Sequence, residues 1–294
     1  MTASSLRIVR VLAPNPSVHT LEGTNTWLVG RDPCAVIDPG PDDPVHLVEV
    51  LREAGRVAAI LVTHDHPDHA PGAVWFASAS GAPVMAMRPP AGGERLRDGQ
   101  IVRAGALAIT SVHTPGHTPD HVSFFIHGEG ALFTGDAVLG RGTSVIDPPE
   151  GELVAYLRSL RRMQELGART IYPGHGPIVL NAAAKLEEYV EHRAMREEQV
   201  LSGLRNGART PAELVGEMYA DYPVEAHPLA ERSVLAHLMK LEAEGRVARS
   251  GTRSAPRYEL STPRACERCG RPIRGRARLC GRCSLAVLQE QPEG

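Results

Sequence analysis

The sequence predicts an α/β fold in which β-sheets are flanked by helices, followed by a helical domain and a small cysteine-rich tail. Short β-type runs alternate with glycine- and proline-rich turns through residues 1–180, helical patterns dominate residues 181–260, and four of the five cysteines lie in residues 261–294. Interleaved strands and helices typically form sheets covered by helices on their outer faces. We take these three ranges as the predicted domains.

The composition is that of an ordinary globular chain with unevenly distributed charge. Its 294 residues correspond to about two domains, and 42% hydrophobic with 22% charged residues excludes wholesale disorder. The net charge of -2 combines residues 1–180, with 14 basic and 18 acidic side chains, residues 181–260, with 11 and 13, and the tail, with 7 and 3. The chain as a whole is therefore not polybasic, whereas the tail is.

The sequence shows no signal for export or for a membrane. Residues 1–20 lack the apolar core of about 7–15 residues that a secretory signal needs. The longest aliphatic run, Val57–Val62, is far shorter than the roughly 20 residues that span a bilayer. We expect a cytoplasmic protein, in which paired cysteines are metal ligands more often than disulfides.

The elements of residues 1–180 follow from local patterns. Pro44 opens a helix that ends at Ala54 before Gly55, and Leu153, Leu157 and Leu160 mark a second helix over Gly151–Leu166. The remaining β-type runs are bounded by turn residues. The predicted strands are Leu6–Leu12, Thr26–Val29, Ala35–Ile37, Ala59–Val62, Val84–Met87, Leu107–Val112, Val122–Ile126, Ala131–Phe133 and Thr170–Tyr172.

Residues 181–260 have the element order of a winged helix. Helices are predicted over Asn181–Leu204, from Thr210 to Tyr219 and from His227 to Glu244, and a hairpin follows to Leu260. The third helix has more acidic than basic residues, and a net acidic helix would repel the DNA phosphates that supply most non-specific affinity. Sequence-specific DNA binding is therefore not expected.

The most informative segment is the run Thr63-His64-Asp65-His66-Pro67-Asp68-His69, directly after a predicted strand. His64 and His66 are two residues apart and can face one metal ion, while Asp68 and His69 can face a second. Imidazole and carboxylate ligands suit zinc, iron or manganese. We interpret this run as part of a metal site.

Three further turns place a ligand-type residue just after a strand. His117 lies in Thr114-Pro115-Gly116-His117, Asp136 in Thr134-Gly135-Asp136, and His175 in Tyr172-Pro173-Gly174-His175. Each turn contains a glycine, which allows the backbone to approach closely. Four such turns in one order favour a common site.

This pattern resembles the metallo-β-lactamase superfamily across roughly residues 5–180. The resemblance implies an αββα sandwich with two divalent metal ions, which we expect to be zinc, at one edge of the sheets. It implies one metal on His64, His66 and His117, another on Asp68, His69 and His175, and Asp136 bridging both.

The expected reaction is hydrolysis by a metal-bridging hydroxide, whose parent water has a pKa lowered towards neutrality. No nucleophile elbow, phosphate-binding lysine loop or dinucleotide fingerprint competes with this interpretation. Asp68 and His121 are the predicted catalytic residues. His121, four residues after His117, would donate a proton or, equally well, hold the Asp136 loop.

Two substrate classes remain open. Ala13-Pro14-Asn15-Pro16, Gly23-Thr24-Asn25-Thr26 and the helical extension resemble the beta-lactamase-like protein two branch, whose animal members are single-strand endoribonucleases. That resemblance implies a phosphodiesterase acting on single-stranded RNA. Related branches act on acyl carriers, so the alternative is a hydrolase of a small thioester or lactone. The sequence does not indicate an oligomeric state.

The tail predicts a separate zinc site. Cys266, Cys269, Cys280 and Cys283 form two CxxC pairs separated by ten residues. This spacing resembles a zinc ribbon, in which four thiolates bind one structural zinc that also supplies folding energy. Seven arginines surround the cysteines. They could bind RNA phosphates, balance the charge of the zinc tetrathiolate or contact another protein.

Overall fold

The structure, a computed structural model, describes residues 6–207, 209–252, 255–261, 264–265, 267–270 and 272–273. The chain divides into two units, Met1–His192 and Arg193–Gly294.

The first unit contains two β-sheets. The first sheet has neighbouring strands β1 (Ile8–Leu12), β2 (Asn25–Gly30), β3 (Cys34–Ile37), β4 (Val57–Leu61), β5 (Val84–Ala86) and β6 (Glu94–Arg95). The second has β7 (Ile101–Ala104), β8 (Leu107–His113), β9 (Val122–Ile126), β10 (Ala131–Gly135) and β11 (Thr170–Pro173). The strands from β3 to β6 run parallel, as do β10 and β11, and the other pairs are antiparallel.

The main core lies between the two sheets. Trp27 and Val29 of β2 belong to the same buried cluster as Phe124 of β9 and Phe133 of β10. Leu28, between Trp27 and Val29, belongs instead to the cluster on the other face of the first sheet. Because side chains alternate across a strand, β2 buries both of its faces.

Helices cover the outer faces of both sheets. In the described residues of the first unit they are α1 (Pro44–Ala54), α2 (Gly72–Ser80) and α3 (Leu153–Glu165), and α4 (Ala182–Gly203) follows along the chain into the second unit. Leu47 of α1 and Phe76 of α2 pack in the cluster that contains Leu28. Met163 of α3 meets the Ser123 hydroxyl of β9 at 3.8 Å, on the face opposite to Phe124. The predicted αββα sandwich is confirmed.

The predicted strands are all present, and the structure adds elements that the sequence pattern did not reveal. In the first unit these are β6 and β7. Helix α2, into which the chain turns after the histidine-rich run, begins without a side-chain cap, so its first residue carries no capping signal. Strands β6 and β7 have only two and four residues, too short to produce a clear alternation.

The second unit contains the predicted winged helix. Helices α5 (Pro211–Met218) and α6 (His227–Ala243) precede the hairpin of β12 (Val247–Gly251) and β13 (Pro256–Leu260). Thr210 and Glu213 form a capping box at the start of α5, which satisfies backbone donors that the helix leaves free. Leu214, Leu238 and Tyr258 join these elements in one buried cluster.

Little of the predicted zinc ribbon lies within the described residues. Arg264–Ala265 pairs with Pro272–Ile273, and Cys269 is exposed. Cys266, Cys280 and Cys283 lie outside the described residues, so the ribbon and its zinc stay predictions. Helix α4 has 22 residues, and no helix among the described residues is long and apolar enough to cross a membrane.

Candidate metal centre

The candidate centre lies where several strands reach their carboxyl ends. The loop after β4 carries the histidine-rich run, and the segments after β8, β10 and β11 carry the other predicted ligands. Strands β8, β10 and β11 point in the same direction, because β8 and β10 both pair antiparallel with β9, and β11 pairs parallel with β10. The structure brings all seven predicted side chains together: His64, His66, Asp68, His69, His117, Asp136 and His175.

The first group of ligand atoms comes from His64, His66, His117 and Asp136. One nitrogen or oxygen atom of each lies within 4.8 Å of the others. His117 Nε2 and His66 Nδ1 are 3.2 Å apart. Three imidazoles and one carboxylate form a donor set suited to zinc and other borderline divalent metals.

The second group comes from Asp68, His69 and His175, whose ligand atoms also lie within 4.8 Å of one another. His69 Nε2 and His175 Nε2 are 3.2 Å apart, and Asp68 Oδ2 is 3.2 Å and 3.1 Å from them. Asp136 Oδ1 is 3.4 Å from His69 Nε2 and 3.3 Å from His175 Nε2. Asp136 therefore lies between the two groups.

The spacing of these atoms fits metal coordination. Two donors on a tetrahedral zinc ion, each at about 2.0–2.1 Å, lie about 3.3–3.4 Å apart. The 3.2 Å separations of the imidazole nitrogens are close to that distance. His64 Nε2 is buried and has no hydrogen-bond partner among the described residues, which is costly unless the atom serves another purpose. The residues present fit divalent metal ions.

Hydrogen bonds to the other ring nitrogens orient the histidines. His117 Nδ1 donates to the Val145 carbonyl at 2.8 Å, and His175 Nδ1 donates to the Gly23 carbonyl at 3.1 Å. A donating Nδ1 leaves the Nε2 lone pair available, which is how metal-binding histidines are commonly held.

Asp38, which directly follows β3, supports the second group. It is 1% exposed, and its Oδ2 accepts from His69 Nδ1 at 2.9 Å. Its two carboxylate oxygens also accept from the backbone and hydroxyl of Thr63 at 2.7 Å and 2.8 Å. An aspartate directly after a buried strand is the sequence signal that could have identified it.

Two further polar residues of the site were also missed. The Thr24 hydroxyl donates to Asp68 Oδ2 at 3.2 Å, and Glu150 Oε2 lies 3.7 Å from His66 Nε2. Thr24 belongs to the segment Gly23-Thr24-Asn25-Thr26, which resembles the beta-lactamase-like protein two branch but was not predicted to belong to the site. Both residues touch the predicted ligands from loops that are distant in sequence.

The charges and the burial of the centre shift the pKa values of its side chains in opposite directions. Burial lowers the pKa of His175, but the Asp136 and Asp68 carboxylates outweigh it and raise that pKa to about 9. Burial would raise the pKa of Asp68, yet the His69 and His175 rings hold it below its usual value. Burial and the neighbouring His69 ring lower the pKa of His64 well below its ordinary value. The clustered carboxylates therefore favour positive charge at this end of the centre, and a bound divalent metal ion would supply it.

His121 is fully buried and uses both of its ring nitrogens within the protein. Its Nε2 accepts from the Asp136 backbone N–H at 3.2 Å, and its Nδ1 lies 2.9 Å from the Thr114 hydroxyl. Burial lowers its pKa well below the ordinary value. Of the two roles predicted for His121, this geometry favours holding the Asp136 loop over donating a proton.

Glycine is required where the ligand turns meet. A Cβ at Gly174 would lie 2.5 Å from Asp136 Oδ1 and 2.8 Å from the His69 ring. Such distances are shorter than side-chain packing allows, so a larger residue would displace both groups. The glycine in the turn before His175 is explained by this close approach.

Comparison with known proteins gives the same assignment. The model of the metallo-beta-lactamase superfamily matches residues 19–92 and 85–175, and that of the beta-lactamase associated winged helix domain matches residues 210–254. A solved metallo-beta-lactamase family protein from Thermus thermophilus superposes with a TM-score of 0.73 at 27% identity, covering 87% of this chain and 98% of that one.

Two curated relatives are similar over most of the chain. An atrochrysone carboxyl ACP thioesterase from Aspergillus chevalieri is 36% identical, covering 82% of this chain and 83% of that protein. A beta-lactamase-like protein 2 homolog from Drosophila melanogaster is 33% identical, covering 84% and 91%. This chain therefore belongs to the metallo-beta-lactamase superfamily, as a metal-dependent hydrolase with a beta-lactamase-associated winged helix domain.

Proposed function

We propose that this chain hydrolyses acyl thioesters, one of the two classes in the expected alternative to RNA, and specifically acyl thioesters carried on a phosphopantetheine arm. One divalent metal would be held by His64, His66 and His117, and the other by Asp68, His69 and His175. Asp136, between the two groups, would contact both metals. This assignment follows the two groups of residues whose ligand atoms lie within 4.8 Å of one another.

In the proposed reaction, water adds to the thioester carbonyl, the C–S bond breaks, and a carboxylate, a thiol and a proton are released. Two divalent metals, when bound, would supply a water of lowered pKa and polarise the carbonyl. Asp38, the Gly23 carbonyl and the Val145 carbonyl fix the histidine rings that would hold them.

The observation that carries the choice of substrate is the scarcity of exposed aromatic side chains in the described part of the first unit. Single-stranded RNA is usually held by stacking of its bases on aromatic rings, together with cations along its backbone. Among the described residues of the first unit, Trp75 is the exposed large aromatic side chain, at 37%. Unpaired bases would therefore find little to stack on in this unit.

Two further observations support this choice. The Aspergillus chevalieri relative is named an acyl carrier protein thioesterase. In the second unit, Lys240 of α6 is ion-paired with Glu197 and Glu244 at 2.6 Å and 2.8 Å, which reduces the charge that this helix offers to phosphates.

The test compares acyl thioesters with labelled single-stranded RNA, using metal-loaded wild type, Asp136→Ala and Asp65→Asn. Asp65 is an exposed residue of the histidine-rich loop outside both ligand groups, so it is a matched control. We expect thioester hydrolysis by wild type and Asp65→Asn, and its loss in Asp136→Ala. Metal-loaded protein that cleaves RNA but leaves every thioester intact would refute the proposal in favour of the endoribonuclease alternative.

A further inference from the structure

The first unit contains an open cleft of about 800 Å³. Met87 and Pro119 are among its lining residues, and both belong to segments that begin near the candidate metal centre. Parallel pairing places Leu61 of β4 beside Met85 of β5. Both strands therefore end at the same sheet edge, where β4 leads into the segment with His64 and β5 leads into the segment with Met87. Pro119 follows His117 by two residues. The cleft has the size of a small-molecule site.

Three arginines line this cleft: Arg88, Arg95 and Arg97. Arg95 and Arg97 are exposed on either side of Leu96, which is 1% exposed, and Leu96 N donates to the Ala86 carbonyl at 2.8 Å. Residues two apart in extended chain point to the same side, so these two guanidinium groups share a face. Among the described residues, no carboxylate forms an ion pair with any of the three.

The acidic residues of the cleft, Asp98 and Asp120, are fewer than its arginines and offset only part of this charge. Asp98 is bound by Arg162 at 2.8 Å and accepts from the His113 backbone at 2.9 Å. Asp120 is buried at the wall of the cleft. The three arginines therefore leave a surplus of positive charge, and guanidinium groups match the geometry of phosphate oxygens.

We propose that Arg88, Arg95 and Arg97, the arginine cleft, bind the phosphate of the substrate's phosphopantetheine arm while the thioester at the other end lies at the metal centre. The proposal rests on the proposed function and names the part of the substrate that is recognised. Among the described residues that line the cleft there is no phenylalanine, tyrosine or tryptophan. This lining suits a phosphate on a flexible arm better than stacked RNA bases.

Binding tests the arginine cleft without any turnover. Calorimetric titrations of metal-loaded protein would compare phosphopantetheine with pantetheine, using wild type, the double variant Arg95→Gln/Arg97→Gln and the control Arg103→Gln. Arg103 is an exposed arginine of β7 outside the cleft. Because hydrogen bonds to charged groups are stronger than neutral ones, we expect wild type and control to bind phosphopantetheine at least about tenfold more tightly than pantetheine.

The double variant should lose this preference while keeping the melting temperature of wild type. Equal affinity of the wild type for the two compounds would overturn the proposal, as would an unchanged preference in a folded double variant. A short oligoribonucleotide that occupies the cleft when phosphopantetheine does not would overturn it in favour of RNA.

Kinetics then separate the sources of the phosphate. Acyl-coenzyme A and an acyl carrier protein both contain phosphopantetheine, whereas an N-acetylcysteamine thioester has no phosphate. The double variant should raise KM about tenfold for one or both phosphate-bearing thioesters. Its kcat and its hydrolysis of the N-acetylcysteamine thioester should stay unchanged. The thioester whose KM rises identifies whether the phosphate comes from coenzyme A or from the acyl carrier protein. An unchanged KM for both would contradict the proposal. If wild type hydrolyses none of the three, the proposed function fails, and the titrations still decide whether the cleft binds phosphate.

Discussion

His69 Nδ1 donates to Asp38 Oδ2 at 2.9 Å, although the two residues are separated by a helix and a strand. Asp38 is also fixed by the Thr63 backbone and hydroxyl. The bond leaves His69 Nε2 facing Asp68 and His175. Asp38 therefore links the end of β3 to the candidate metal centre.

Replacing Asp38 should weaken metal binding. In Asp38→Asn the carboxylate that accepts from His69 becomes a neutral amide, and loss of such a partner typically lowers metal affinity about 10–100-fold. Zinc competition with a chelator would measure this change. Asp42→Asn, in the exposed part of the same turn, should bind zinc like wild type, and equal affinities for the two variants would argue against this role of Asp38.

His121→Asn distinguishes a positioning residue from a proton donor. Because both ring nitrogens of His121 are engaged by Asp136 and Thr114, we expect the variant to lose metal more readily on dialysis. The fully metal-loaded variant should keep the wild-type shape of the kcat–pH profile. If the fully metal-loaded His121→Asn lost the alkaline limb of the kcat–pH profile, and the exposed control His127→Asn kept it, proton donation would be assigned to His121 instead.

Gly116→Ala should destabilise the first unit. Gly116 has a φ of 134°, and an added Cβ would overlap the Tyr156 backbone at the start of α3. We expect the free energy of unfolding to fall by more than about 2 kcal/mol, from overpacking together with backbone strain. Urea unfolding measures this loss. Gly128→Ala, where the added Cβ meets nothing within 4 Å, should stay near wild type.

Buried His46 should make stability depend on pH. Burial lowers its pKa below the ordinary 6.5, so below that pH the unfolded chain binds a proton that the folded chain does not. Stability is then present above pH 6.5 and falls as the pH drops towards the folded pKa. Urea unfolding at pH 7.5 and 5.5 should show a loss about 1 kcal/mol smaller in His46→Gln than in wild type. An equal loss in both proteins would contradict this assignment.

The cysteine tail should contain a metal of its own. Elemental analysis of the full chain is expected to find three zinc equivalents, two at the candidate centre and one at Cys266, Cys269, Cys280 and Cys283. Deletion of residues 262–294 should leave two equivalents. Cys34→Ala, at a buried cysteine of β3, should retain three. The same zinc content with and without the tail would refute the predicted ribbon.

Much of the fold could be predicted because its signals are local. Runs of β-type residues between turns predicted the strand around Trp27, and Pro44 with Gly55 predicted the bounds of α1, which the structure confirms. Strand β6 was missed, since a two-residue strand carries almost no local pattern, and an uncapped helix such as α2 has no signal for its first residue. Such elements depend on what packs against them.

For this protein the sequence alone determined which side chains are available as ligands and in what order they follow the strands. The run from His64 to His69 and the turns of His117, Asp136 and His175 needed no coordinates to suggest a metal site.

Only the tertiary structure decided how those side chains are held and what adjoins them. The partners of His117 and His175 are backbone carbonyls, which every residue possesses and no motif marks. Asp38 contacts His69, and Arg88, Arg95 and Arg97 line one cleft, because separate strands end at shared sheet edges. Such contacts join positions distant along the chain, and their formation depends on strand pairing and packing across the whole unit.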